Sequence, residues 1–188
     1  MPIIAVVGGK QSGKTTTIEK LVQGLTKRGY KIATVKHIPE ANFTIDTKGK
    51  DTWKHAKAGA STIVSVAPNE LATIRKVDTT KYDLSEIIKN VEDDTDITIL
   101  EGFRKLVEKN PAVPKIVAAK STSEVVEASK RCKPILALVG PMSREATKLN
   151  IPYIDVLKQP ERLIDLVEKE IIASVEKKGK RGLKRSLI

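Results

Sequence analysis

A chain of 188 residues, 40% hydrophobic and 30% charged, has the length and balance of one compact domain with at most a small extension, which excludes wholesale disorder and a fibrous repeat. No apolar run approaches the roughly 20 residues that cross a bilayer, so a membrane span is excluded from the expectations. The net charge of +11 points to an anionic partner, but residues 177–188, KKGKRGLKRSLI, carry much of it, and with aromatics at 3% there are few rings to stack on bases, so a nucleic-acid partner is not expected.

The chain opens on Ile3-Ile4-Ala5-Val6-Val7, a short, wholly apolar run of the kind buried in a parallel sheet. It lacks the basic segment and longer apolar stretch of a secretory signal, and a cytoplasmic location is the expectation. Gly8-Gly9-Lys10-Gln11-Ser12-Gly13-Lys14-Thr15 follows and matches G-x-x-x-x-G-K-[ST]. Phosphates need backbone N–H groups aimed inward with no side chain in the way, which glycines at the bend permit. Lys14 is expected to reach the β- and γ-phosphates and the Thr15 hydroxyl to take a place on magnesium. The segment from Thr16 to Leu25 reads as a helix with Ile18, Leu21, Val22 and Leu25 on one face, and its N-terminus favours an anion. Gly8, Gly9, Lys10, Gln11, Ser12, Gly13, Lys14, Thr15 and Thr16 are therefore the expected nucleotide-binding loop.

Lys31 to Val35 reads as a second strand, leading into a long polar connection to Asp51 at its carboxyl end, where ligand loops lie. That connection offers Lys36, Lys48 and Lys50 for phosphate, and Asp46 and Asp51 for metal or water positioning; each lysine also fits a solvated loop charge, and Asp51 also fits a helix N-cap. Trp53 and His55 read as a packing and a surface residue. Ser61 to Ala67 and Leu71 to Val77 read as strands around Pro68-Asn69, a hairpin whose β-branched content also suits an edge pairing with a second subunit, so a homodimer is expected. Residues 84–91 read as a helix. Thr80-Lys81-Tyr82-Asp83 has the form of a guanine-reading string but precedes the acidic strand, and Asp83-Leu84-Ser85-Glu86 has capping-box spacing that explains the Asp without a ligand. Thr147-Lys148-Leu149-Asn150 has the right order and the wrong last residue.

Asp96-Ile97-Thr98-Ile99-Leu100-Glu101-Gly102 supplies the second acid of a nucleotide site. Its apolar run places Glu101 at the carboxyl end of a buried strand, near the metal or its waters, whereas Asp96 lies about 16 Å back along an extended chain and caps the strand entrance. The single Cys132 and the two histidines, His37 and His55, exclude a thiolate zinc cage and leave metal chemistry to oxygen ligands. Further strands are expected at 115–119, 135–139 and 153–156, a helix from Ser121-Thr122-Ser123-Glu124 to about 131, and another from Pro160-Glu161 in which Ile164, Val167, Ile171 and Val175 recur. The alternation predicts an α/β domain, three-layered and P-loop NTPase-like, with a mainly parallel sheet and a β-hairpin extension, spanning 1–176 ahead of a basic C-terminal tail at 177–188.

Taken together, Gly8 to Thr16, Val35-Lys36-His37, Phe43-Thr44-Ile45-Asp46, Gly49-Lys50-Asp51, Ala58-Gly59-Ala60, Leu100-Glu101-Gly102-Phe103 and Pro114-Lys115-Ile116 resemble the molybdopterin-guanine dinucleotide biosynthesis adaptor proteins of the MobB type. The ordered set covers about residues 3–119. The resemblance implies a GTP-binding adaptor with weak GTPase activity at most, assisting the guanylyltransferase that converts molybdopterin to its guanine dinucleotide. GTP and Mg2+ are the implied cofactors, and molybdopterin or its molybdenum-loaded form is a further candidate ligand. By position it assigns Lys14, Asp46 and Glu101 to the catalytic set, Thr15, Glu101 and Asp46 to the metal, and Asp46 with Gly49-Lys50-Asp51 to the loop near the triphosphate. Guanine preference rests on this resemblance alone. Pro39-Glu40-Ala41-Asn42 stands where the family often holds a further histidine pair, and the basic tail lies outside the resemblance. The residues also admit a self-sufficient P-loop small-molecule kinase and, through the tail, an accessory nucleic-acid binder.

Overall fold

The short apolar runs of the sequence assemble into one six-stranded sheet in the computed structural model, which describes residues 1–141 and 150–173. The strands in chain order are β1 (Ile3–Gly8), β2 (Ile32–Lys36), β3 (Thr62–Ala67), β4 (Glu70–Arg75), β5 (Ile97–Glu101), β6 (Lys115–Ala118), β7 (Ile135–Val139) and β8 (Tyr153–Ile154). The large sheet runs β2-β5-β1-β6-β7-β8 with every pairing parallel, while β3 and β4 form a separate antiparallel pair. The chain divides into two units, one of Met1–His37 with Ile87–Ile188, which holds the large sheet, and one of Ile38–Glu86.

In the first unit the period of two along β1 sends Ile4 and Val6 into one core and Ala5 and Val7 to the other face of the sheet, all four buried. The first core is closed by α1 (Lys14–Lys27) through Ile18, Leu21 and Leu25, and by α6 (Pro160–Val167) through Leu163, Ile164 and Val167. Each such side chain contributes roughly 1.5–3 kcal/mol by leaving water. A π-helical turn, Glu168–Ile172, carries the last helix on and buries Ile171 and Ile172; the expected contact of Val175 lies outside the described residues. On the other face, Val7 and Val117 line a cavity with side chains of α4 (Arg104–Val107) and α5 (Thr122–Arg131). The result is an α/β sheet flanked by helices on both faces, as expected.

Side-chain chemistry marks the element ends. Ser121 caps α5 by accepting from Glu124 N, and Glu124 returns the bond to Lys120 N. Asp96 closes the entrance of the β2–β5 pair by accepting from Lys31 N at 2.7 Å, the capping role expected for it. At the end of α1, Arg28 donates to Glu161, Asp165 and Glu168, and these carboxylates raise its pKa further, Asp165 first. This clamp ties α1 to the last helix. Arg28→Ala is expected to lower unfolding free energy by about 1–2 kcal/mol in a urea titration, with the difference shrinking at high salt.

In the second unit α2 (Asp51–Lys57) begins one residue earlier than expected: Lys50 is its N-cap, without a side-chain cap, and Asp51 stands in the first turn, paired with Lys54. The N-cap reading of Asp51 is thereby corrected. The hairpin forms as expected, with Val66 opposite Leu71 and Val64 opposite Thr73. Ile63 on the reverse face is buried, whereas Val64, Val66 and Leu71 are 54%, 78% and 68% exposed. Asp83 and Glu86 make the reciprocal capping bonds, Glu86 N to Asp83 Oδ1 at 2.9 Å and Asp83 N to Glu86 Oε2 at 2.8 Å, ahead of α3 (Leu84–Ile88), which is shorter than the expected 84–91. Residues 147–149 and the 177–188 tail lie outside the described residues.

Candidate functional site

The loop between β1 and α1 is fixed by close approach. A Cβ on Gly8 would stand 2.1 Å from the Ala118 carbonyl oxygen and 2.5 Å from Ser12 Oγ, so only hydrogen fits there. Gln11 (φ 59) and Gly13 (φ 92) adopt left-handed backbone, the kind of alternation that converges successive N–H groups on an anion. Residues Gln11 to Thr16 line a cavity of about 290 Å3. Ser12 is buried and its Oγ has no hydrogen-bond partner among the described residues, an unsatisfied polar atom within the loop. Lys14 Nζ donates to Gly8 O at 3.2 Å and to Gly9 O at 2.6 Å, so its ammonium is folded back on the loop.

Glu101 closes the other side. It ends β5, in register with Val6 of β1 and Lys36 of β2, so the parallel pairing itself brings it to the loop that follows β1. Thr15 Oγ1 donates to Glu101 Oε1 at 3.4 Å, and Lys36 Nζ lies 3.3 Å from the same oxygen. Burial holds Lys14 below the ordinary lysine range; Glu101 opposes that, and the neighbouring Lys36 and Arg104 add to it. Lys14 and Lys36 beside the single Glu101 carboxylate leave a net positive charge that an oligophosphate would neutralise, while Arg104 is paired with Glu108.

The donor set fits magnesium bound largely through a nucleotide. Among the described residues no three His, Cys, Asp or Glu side chains gather into a metal group, and Thr15 and Glu101 offer one hydroxyl and one carboxylate. Mg2+ commonly keeps its waters and takes one or two protein oxygens plus substrate phosphates.

The structure thus brings together Lys14, Thr15 and Glu101, with Lys36, on the loop formed by Gly8, Gly9, Lys10, Gln11, Ser12 and Gly13. Asp46 and Lys50 belong to the second unit. There Asp46 Oδ1 accepts from Thr47 N and Thr52 Oγ1, both at 2.8 Å, while its Oδ2 is buried without a partner. Trp53 is half-buried with Lys57 Nζ 5.6 Å from its ring, and His55 is exposed, the packing and surface roles expected of them. Arg104 was missed by sequence reasoning; the one available signal was a cation directly after Glu101-Gly102-Phe103. No helix among the described residues is long and apolar enough to cross a membrane.

Comparison with known proteins adds names to this geometry. The family model described as molybdopterin guanine dinucleotide synthesis protein B matches residues 3–140. A putative molybdopterin-guanine dinucleotide biosynthesis adapter protein of Methanocaldococcus jannaschii is 37% identical over 121 residues, 64% of this chain and 48% of that protein. The adapter protein of Haemophilus influenzae is 30% identical over 118 residues, 62% of each chain. The match therefore spans about half to three-fifths of these relatives. The crystal structure of a molybdopterin-guanine biosynthesis protein B superimposes with a TM-score of 0.68 at 29% identity, covering 89% of this chain and 97% of that one. Bacillus subtilis MobB shares the fold with a TM-score of 0.69 at 24% identity, covering 88% and 98%.

Proposed function

The chain belongs to the molybdopterin guanine dinucleotide synthesis protein B family, and from that premise we propose that it is a GTP-binding adaptor that assists the guanylyltransferase forming molybdopterin guanine dinucleotide. The observation that carries the nucleotide part is the unsatisfied Ser12 Oγ within a loop whose Thr15 hydroxyl donates to Glu101 and whose Lys14 ammonium is folded on the Gly8 and Gly9 carbonyls. In this reading Lys14 turns from the Gly8 and Gly9 carbonyls to the β- and γ-phosphates, and the Thr15 hydroxyl and Glu101 hold Mg2+ or its waters. The backbone from Gly8 to Thr16 wraps the phosphates. Hydrolysis is weak at most. Molybdopterin or its molybdenum-loaded form is the further ligand of such an adaptor, and the cytoplasm is its compartment.

Added to purified guanylyltransferase with GTP and molybdopterin, the protein is expected to raise the rate of guanine dinucleotide formation, and Lys14→Ala to leave that rate at the transferase's own level. No stimulation by the intact protein would reject the adaptor role.

We also assign the apolar outer face of the β3–β4 hairpin to a homodimer. Val64, Val66 and Leu71 form an exposed apolar stripe of the kind that partner surfaces cover. Val66→Glu is expected to convert a dimer into a monomer in sedimentation velocity. A monomer at every concentration of the unaltered protein would refute the assignment.

A further inference from the structure

Arg104 is held toward the phosphate loop by backbone that its own sequence makes costly. Gly102 (φ 86) and Phe103 (φ 53) are successive left-handed residues between β5 and α4. Such a conformation is unfavourable for a bulky side chain and persists only where its surroundings fix it. Here Phe103 is 9% exposed and its ring centroid lies 5.2 Å from that of His37. The turn brings Arg104 to a cavity of about 180 Å3 that it lines together with Gly8 and Gly9. One helical turn on, Glu108 Oε1 accepts from Arg104 Nε at 3.0 Å. The same oxygen lies 3.8 Å from Arg131 Nε, so the carboxylate is braced from two sides. Among the described residues no hydrogen bond engages Arg104 Nη1 or Nη2.

We propose that Arg104 supplies in cis a guanidinium whose free Nη groups bind the terminal phosphate of a nucleoside triphosphate held by the Gly8–Thr15 loop, with Glu108 fixing the Nε edge. The proposal rests on the nucleotide-binding reading above. A guanidinium presents parallel N–H donors that match phosphate oxygens in pairs, which an ammonium cannot. Its placement points to the terminal phosphate: Arg104 shares its cavity with Gly8 and Gly9, whose carbonyls hold the Lys14 ammonium, the group that reaches the β- and γ-phosphates in a loop of this pattern.

The test compares binding of a nonhydrolysable guanosine triphosphate analogue, with magnesium, to binding of GDP, each against its adenosine counterpart, in the full chain and in Arg104→Ala and Arg104→Lys. Arg104→Ala is expected to weaken the triphosphate analogue about tenfold and GDP less than twofold. Arg104→Lys is expected to restore only part of the triphosphate affinity. Thermal melting identifies whether each variant is folded, and Arg104→Gln, which keeps length and polarity, replaces any that is not. Equal triphosphate affinity with and without the guanidinium, or equal losses for triphosphate and diphosphate, would overturn the role of Arg104 while leaving the nucleotide site standing. Failure of the unaltered folded protein to bind any of these nucleotides would overturn both.

Discussion

Replacing Lys14 by Ala is expected to weaken magnesium-triphosphate binding by roughly a hundredfold, about 3 kcal/mol, while the protein stays folded. The side chain is half-buried, and its hydrogen bonds go to the Gly8 and Gly9 carbonyls of its own loop, at 3.2 and 2.6 Å. These are bonds within one short segment, so their loss costs the fold little. Bound phosphate, by contrast, loses a charge-assisted contact at a partly desolvated site. Titration calorimetry reads the affinity and circular dichroism the melting; unchanged affinity in a folded variant would remove Lys14 from the site.

Gly8→Ala is expected to cost about 3 kcal/mol of stability and to disturb the phosphate loop at the same time. The added methyl would meet the Ala118 carbonyl oxygen at 2.1 Å, and Gly8 and Ala118 are register partners in the β1–β6 ladder. Backbone cannot swing aside as a side chain does, so the strands must part. It would also press on Ser12 Oγ, at 2.5 Å. Gly24→Ala is the informative contrast, because its methyl would meet a side chain rather than backbone, the buried Ile164, with Cδ1 at 2.1 Å and Cγ1 at 2.8 Å. That variant should lose less, about 1 kcal/mol, and keep nucleotide affinity. Denaturant unfolding of the pair distinguishes them, and equal small losses would mean that the β1–β6 approach can relax.

Much of this arrangement was legible because its determinants are contiguous. The glycines, Lys14 and Thr15 lie in one short string, and the apolar run before Glu101 announces a buried strand with an acid at its end. Asp83 was separable from a base-reading role by the Glu three residues on, and the structure makes both capping bonds. What remained hidden depends on partners far apart in sequence. Arg28 meets its carboxylates across more than 130 residues. Lys115 is fully buried, its ammonium held by the Asn110 and Lys133 carbonyls at 2.6 Å each, although a lysine opening a strand reads as exposed. Apolar alternation likewise does not encode neighbours, so the order β2-β5-β1-β6-β7-β8, which carries Lys36 to Glu101, comes only with the assembled sheet. The left-handed Phe103 was also unreadable, since propensity argues against it and tertiary packing wins.

The most direct test of the central claim is calorimetric titration of GTP and ATP, with magnesium, into the protein alone and then with a molybdopterin guanylyltransferase present. Preference for GTP together with nucleotide-dependent association of the two proteins is the predicted result. Equal or tighter ATP binding with no association would contradict the adaptor account and point instead to a self-sufficient small-molecule kinase.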